Sequence, residues 1–234
     1  MKIGIVGIDA ISQGKGNIAD SRLDILADLF KSAKKVCIQA DLVTEKAKLV
    51  ECDGIIAPEG AKLDLIINDI EFVEARLERS EDESEKKLFT RFKEELDQEN
   101  FLSNVPLSED EKKLIAGYSL WTIKPIYLAK PEEVEDKNKL LYAGYYHFGY
   151  ISFFTAGEKD AHAWSVKIGS NAWEAAGCIH SDIQKGFIRA EVVAFKDLVD
   201  DKGLTQAKAN NHMRLENKEY LVQDGDYMVF RFNK

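Results

Sequence analysis

The first residues that could do chemistry are Gly4-Ile5-Val6-Gly7, followed by Gly14-Lys15-Gly16. A glycine turn leaving an apolar strand is where many α/β proteins cradle phosphates. The P-loop does so with G-x-x-x-x-G-K-[ST]: backbone N–H groups surround the phosphates, Lys reaches them, and a hydroxyl holds Mg²⁺. Counted from Gly7, the required Gly, Lys and hydroxyl positions hold Ser12, Gln13 and Gly14. Counted back from Gly14-Lys15, six residues separate them from Gly7 where the motif has four, and Gly16 brings no hydroxyl. The pattern predicts a plain turn leaving a strand. Gly7, Gly14, Lys15 and Gly16 are the only candidates for an unconventional phosphate loop, which would take ATP or GTP with Mg; otherwise no cofactor is expected.

No other chemistry competes. His147, His162, His180 and His212 form no HExxH or similar pair. Cys37, Cys52 and Cys178 are widely spaced and never a CxxC pair, so they read as small buried hydrophobes in a reducing, cytoplasmic setting. No metal site and no activated nucleophile is predicted.

The elements around these residues follow from apolar spacing. Lys2–Gly7, Val36–Ala40 and Gly54–Ala57 are short apolar runs of the kind buried in parallel sheets. Between the first two, Leu23, Leu26, Ala27 and Phe30 mark a helix that Asp20 can cap. Leu63, Ile66, Ile67, Ile70, Val73 and Leu77 give a helical stripe, and Leu88, Phe89, Phe92 and Leu96 a second. Together they predict an exposed antiparallel hairpin with a narrow buried seam, turning at Ser80–Glu85. Ser108–Glu111 is a capping box. Ile123–Ala129 returns to strand character, with Pro125 pointing to an edge position. Glu132–Lys139 reads as a polar linker. Beyond it, alternation in Trp164–Ile168, Ile188–Val192 and Met228–Phe232, with one helix at Asn171–Ile183, predicts a small α+β domain of β-grasp type.

The chain has 234 residues, 45% hydrophobic and 31% charged, which is globular composition. No apolar run reaches membrane-spanning length, and no signal peptide is expected. Net charge is -9, with the acid excess almost entirely in residues 1–144. That excludes a general electrostatic nucleic-acid binder but allows a local basic contact near the C-terminus.

The C-terminal blocks are distinctive. Phe153–Gly157, Ala163–Val166, Ala175–Asp182, Lys185–Val192 and Val222–Asp226 resemble the TGS domain of the YchF/Obg-like ATPases, TRAFAC-type P-loop GTPase relatives. Asn68–Arg79 resembles the first helix of that family's coiled-coil arm. Leu107–Glu111 and Thr122–Tyr127 resemble the return into its G domain. The family's purine-reading Asn-x-x-Glu block is replaced by Ala129-Lys130-Pro131-Glu132.

The resemblance implies a truncated P-loop-NTPase-like parallel sheet, an α/β unit of residues 1–62 and 118–142. A helical hairpin, 63–117, is inserted in it, and a β-grasp (TGS) domain follows at 143–234. It implies a cytoplasmic binding module without nucleotide turnover, for ribosome, RNA or translation-related protein partners, with no membrane or DNA partner. Lys167, Lys185 and Arg189 are the candidate phosphate contacts, and His180 lies in the matching helix.

Overall fold

A computed structural model describes residues 1–233. In chain order the strands are β1 (Lys2–Ile5), β2 (Gly14–Ile18), β3 (Lys35–Val36), β4 (Ile38–Val43), β5 (Gly54–Pro58) and β6 (Ile126–Ala129). They continue as β7 (Tyr150–Ala156), β8 (Ala161–Lys167), β9 (Phe187–Ala194), β10 (Arg214–Glu216) and β11 (Asp226–Phe232). The helices begin with α1 (Ser21–Phe30), α2 (Lys62–Arg79), α3 (Glu83–Asp97), α4 (Glu109–Ile115), α5 (Pro131–Val134) and α6 (Lys137–His147). They end with α7 (Ala172–Ile179), α8 (Ser181–Lys185), α9 (Phe195–Asp200) and α10 (Leu204–Ala209). The chain divides into two compact units, residues 1–16 with 40–148, and residues 17–39 with 149 onward.

The first unit is built on the sheet β2-β4-β1-β5-β6. β1 pairs in parallel with β4 and β5, and β5 with β6. So β1 and the returning strand do share one sheet, although the strand expected over Ile123–Ala129 begins only at Ile126. β6 takes the edge, and its first residue follows Pro125, which has no N–H to give a neighbour. The segment expected as a linker is instead helical. α6 lies on the sheet so closely that a Cβ on Gly144 would stand 2.5 Å from Ile56, and Phe148 fills the space over Gly54. The first unit therefore runs to Phe148, past the boundary expected at 142.

α2 and α3 form the expected hairpin, but its buried part is wider than a seam. Val73, Phe89, Phe92 and Leu96 pack with Leu102, Val105 and Leu120 from the returning segment. Asp69, fully buried on α2, accepts the N–H groups of Trp121 (2.9 Å) and Thr122 (2.7 Å) and the Thr122 hydroxyl (2.7 Å). It thereby ties that segment to the hairpin. At the turn, the Glu85 carboxylate accepts from the Ser80 hydroxyl, from Tyr118 Oη (2.5 Å) and from Arg76 (2.5 Å). These donors, Ser80 first, pull its pKa from the ordinary 4.5 down to about 2. A depressed carboxylate stabilises the fold above its unfolded value and loses that contribution as pH falls through the folded one. We expect the helical signal of the hairpin to weaken between about pH 4.5 and pH 2, and to do so less in Glu85→Gln, as read by circular dichroism.

The second unit carries the sheet β10-β9-β11-β7-β8-β3. β9 pairs antiparallel with β10 and β11, β7 antiparallel with β8, and β11 parallel with β7. α7 starts at an Asn171–Glu174 capping box. The single helix expected over Asn171–Ile183 is two, because His180 is extended at φ -164° and its Nδ1 accepts the Asp182 N–H to cap α8.

Residues 17–39 belong here, although the sequence places all of 1–62 with the parallel sheet. α1 packs on β7 and β8. The Phe30 ring stacks on Tyr227 at 5.2 Å, and the Ser32 hydroxyl donates to Gly157 O at 2.6 Å. Val36–Ala40 is accordingly not one strand. β3 pairs with β8, β4 pairs with β1, and Cys37 lies between them.

Between α9 and α10, Asp201 accepts from Asn210 (2.6 Å) and meets His212 Nδ1 at 2.7 Å. That contact raises the His212 pKa above its ordinary 6.5. Stability from this pair is full below pH 6.5 and fades as pH rises through the folded value. An NMR titration should place His212 above its ordinary 6.5, and Asp201→Asn should lower it.

Candidate functional site

Gly7 has φ +67° and turns the chain out of β1. The turn continues through Ile8 and Ile11, both buried, with Ile11 N–H bonded to Ile8 O at 3.2 Å. At Gly14 the chain enters a strand, not a helix. A phosphate loop works because its N–H groups and the helix behind it converge on one anion. Here the residue after the turn is Lys15 on an exposed strand, with Nζ 3.8 Å from Asp41. Gly16 is glycine for packing: a Cβ there would stand 2.7 Å from Leu42. The next helix, α1, starts only at Ser21, and the Asp20 carboxylate accepts its Arg22 N–H. A helix N-terminus directly after Gly16-Asn17 is therefore not present. Gly7 lines a cavity at the end of β1, whereas Lys15 meets Asp41 and Gly16 packs against Leu42. Just after the Ala129–Glu132 block, Glu133 accepts the Tyr127 hydroxyl (2.6 Å) and the Lys130 N–H (2.8 Å), which closes the α5 turn.

Parallel sheets bind ligands beyond the carboxyl ends of their strands. Two adjoining cavities of about 410 and 520 Å³ lie there, the smaller beside Val6 and Gly7. Lys46, Asn68, Glu71 and Trp121 line both. Asp64 lines the smaller one. The charged groups of this cleft are thus one Lys and two carboxylates, a poor match for a nucleotide's phosphates. Sequence reasoning passed over these residues. The signal was the end of β5 at Pro58-Glu59, which fixes where the strand ends face.

In the second unit, His180, Lys185, Gly186, Phe232 and Asn233 surround a cavity of about 780 Å³. Gly186 is required by close approach, since a Cβ would overlap the Asn233 carbonyl. Arg189 stands exposed on β9, and neither it nor Lys185 has an ion pair among the described residues. Arg231 beside it is paired with Glu191. Lys167 is elsewhere. It pairs with Tyr150 at the start of β7 and sets its Nζ 4.4 Å from that ring. β11 runs parallel to β7 with Tyr227 beside Phe154, and Arg189 pairs with Arg231 farther along β11. The register therefore puts Arg189 toward the far end of β7 from Lys167. Of the four expected contacts, His180 and Lys185 line one cavity, Arg189 stands on β9 outside its lining, and Lys167 lies elsewhere.

A family model, YchF-GTPase_C, described as a protein of unknown function (DUF933), matches residues 150–233. A Bacillus subtilis protein named ribosome-binding ATPase YchF is 32% identical over 77% of this chain and 67% of its own length. One of the same name from Haemophilus ducreyi is 50% identical over 96 residues, 41% of this chain and 26% of its own. This chain thus spans about two thirds of the first relative and about a quarter of the second. The structure of the Schizosaccharomyces pombe YchF GTPase matches 99% of this chain and 97% of its own with a TM-score of 0.74 at 18% identity, a likeness of fold. On the strength of the Bacillus match along most of the chain, this protein belongs to the YchF family.

Proposed function

We propose that this chain is a YchF-family binding protein of translation. It contacts the ribosome or its RNA through the His180, Lys185 and Arg189 side of its C-terminal unit, and it does not turn over ATP or GTP. The observation that carries the second half is that residues 14–18 are a strand, with Lys15 turned to Asp41. Phosphoryl transfer is mostly positioning and charge stabilisation, so without converging N–H groups and a metal-holding hydroxyl it loses several orders of magnitude. The first half rests on two unpaired cations, Lys185 lining a roomy cavity and Arg189 on β9, within the residues that the YchF-GTPase_C model matches. Ribosome contact implies a cytoplasmic setting, and among the described residues no helix is long and apolar enough to cross a membrane.

Phosphate release from Mg-ATP or Mg-GTP should equal that of Lys15→Ala. Release above that control, and lost in Lys15→Ala, would overturn the reading. Co-sedimentation with ribosomes should fall about tenfold in Lys185→Glu/Arg189→Glu and stay unchanged in Lys167→Glu.

A further inference from the structure

The cleft at the carboxyl ends of β1 and β5 is unsuited to phosphates, yet it is open and partly apolar. Its α2 wall carries Ile67, and Leu63 stands beside the cleft outside the cavity linings, each 50% exposed. They stand one turn apart on one side of the helix, and Ile67 lines the smaller cavity. Trp121, half-buried, forms the opposite lining of both cavities with Lys46. Exposed Asp64 and Glu71 flank the two apolar side chains, and neither has an ion pair or a side-chain hydrogen bond among the described residues. Most other carboxylates of the hairpin have found partners: Glu74 and Asp97 share Lys93, Glu85 holds Arg76, Glu83 meets Lys86.

We propose that this cleft is a docking groove for a basic amphipathic helix of another protein. An apolar stripe at helical spacing would cover Leu63, Ile67 and Trp121. Lys or Arg on its flanks would meet Asp64 and Glu71. The charge of the groove selects this occupant. A nucleic-acid strand would bring phosphates against two carboxylates, and a second copy of this chain, at net charge -9, would bring more acid. Helix-in-groove recognition needs apolar anchors at i and i+4 and a cavity to receive the partner's own, and both are present here.

The test uses a synthetic helical peptide with Leu at i, i+3, i+4 and i+7 and Lys elsewhere, a second with Glu in place of Lys, and a scrambled Leu/Lys peptide. Binding to the full chain is followed by calorimetry. The Leu/Lys helix should bind, the Leu/Glu helix should not, and the scrambled peptide should bind at least tenfold more weakly. Ile67→Gln and Glu71→Lys, both at exposed positions, should each weaken binding at least fivefold, with unchanged circular dichroism. Equal binding of the scrambled peptide, or no effect of the two substitutions, would overturn the proposal. So would displacement of the peptide by Mg-ATP or by RNA, or a concentration-dependent dimer abolished by Ile67→Gln.

Discussion

Replacing Arg22 with alanine lowers the stability of the C-terminal unit by about 3–5 kcal/mol, the cost of leaving buried charges without their partner. Arg22 forks onto two carboxylates. Its Nη2 lies 2.7 Å from Asp20, whose side chain is 2% exposed, and its Nη1 lies 2.7 Å from Asp224. The guanidinium also sits 5.3 Å from the Phe154 ring. One side chain therefore joins the start of α1 to the turn before β11 and to the sheet. Its pKa is raised far above the ordinary arginine value. Burial, the largest influence, acts downward, and the two carboxylates outweigh it. Lysine should recover less than half the loss, because it cannot fork. Urea unfolding followed by tryptophan emission checks this, since Trp164 and Trp173 lie in the affected unit. A loss under 1 kcal/mol would show that α1 is held by apolar packing alone.

The second large effect is expected at Asp69. Alanine there leaves the Trp121 and Thr122 N–H groups without their acceptor, that of fully buried Thr122 in a place water does not reach, at a cost of roughly 2–4 kcal/mol. Asparagine should rescue little. Each Asp69 oxygen accepts a backbone N–H, so an amide must aim its NH₂ at one of them. Hydrogen exchange at Trp121 and Thr122 reads the effect locally. Wild-type protection in Asp69→Asn would show that the segment is held by the packing of Leu120 instead.

Much of this architecture is legible in the residues. The stripes of α2 and α3 and the capping boxes at Ser108 and Asn171 are local signals, and local signals survive folding. What escapes is decided by distant partners. Gly14-Lys15-Gly16-Asn17 has poor strand propensity and becomes β2 only because β4 pairs with it. The apolar run around Cys37 looks continuous, yet its two halves find different neighbours, β8 and β1. α6 hides because its packing face includes Gly144, chosen for close approach to Ile56, which weakens the apolar stripe. At the candidate site, the failure of the phosphate motif is visible by counting, whereas the cleft's Lys46, Glu71 and Trp121 are far apart in sequence and meet only through the fold.

The placement of residues 17–39 has a consequence for biosynthesis. α1 and β3 emerge early from a translating ribosome, but the sheet they pack on begins only at Gly149, about 110 residues later. During that interval Leu23, Leu26 and Phe30 have no native surface to cover them, and the pairing that finally does so is slow because it is so non-local. Excising residues 149–234 as a stand-alone fragment has the reverse defect. It uncovers Phe154 and Tyr227 and leaves Asp224 without Arg22, so such a fragment should aggregate on expression, and supplying a peptide of residues 17–39 in trans should restore its solubility.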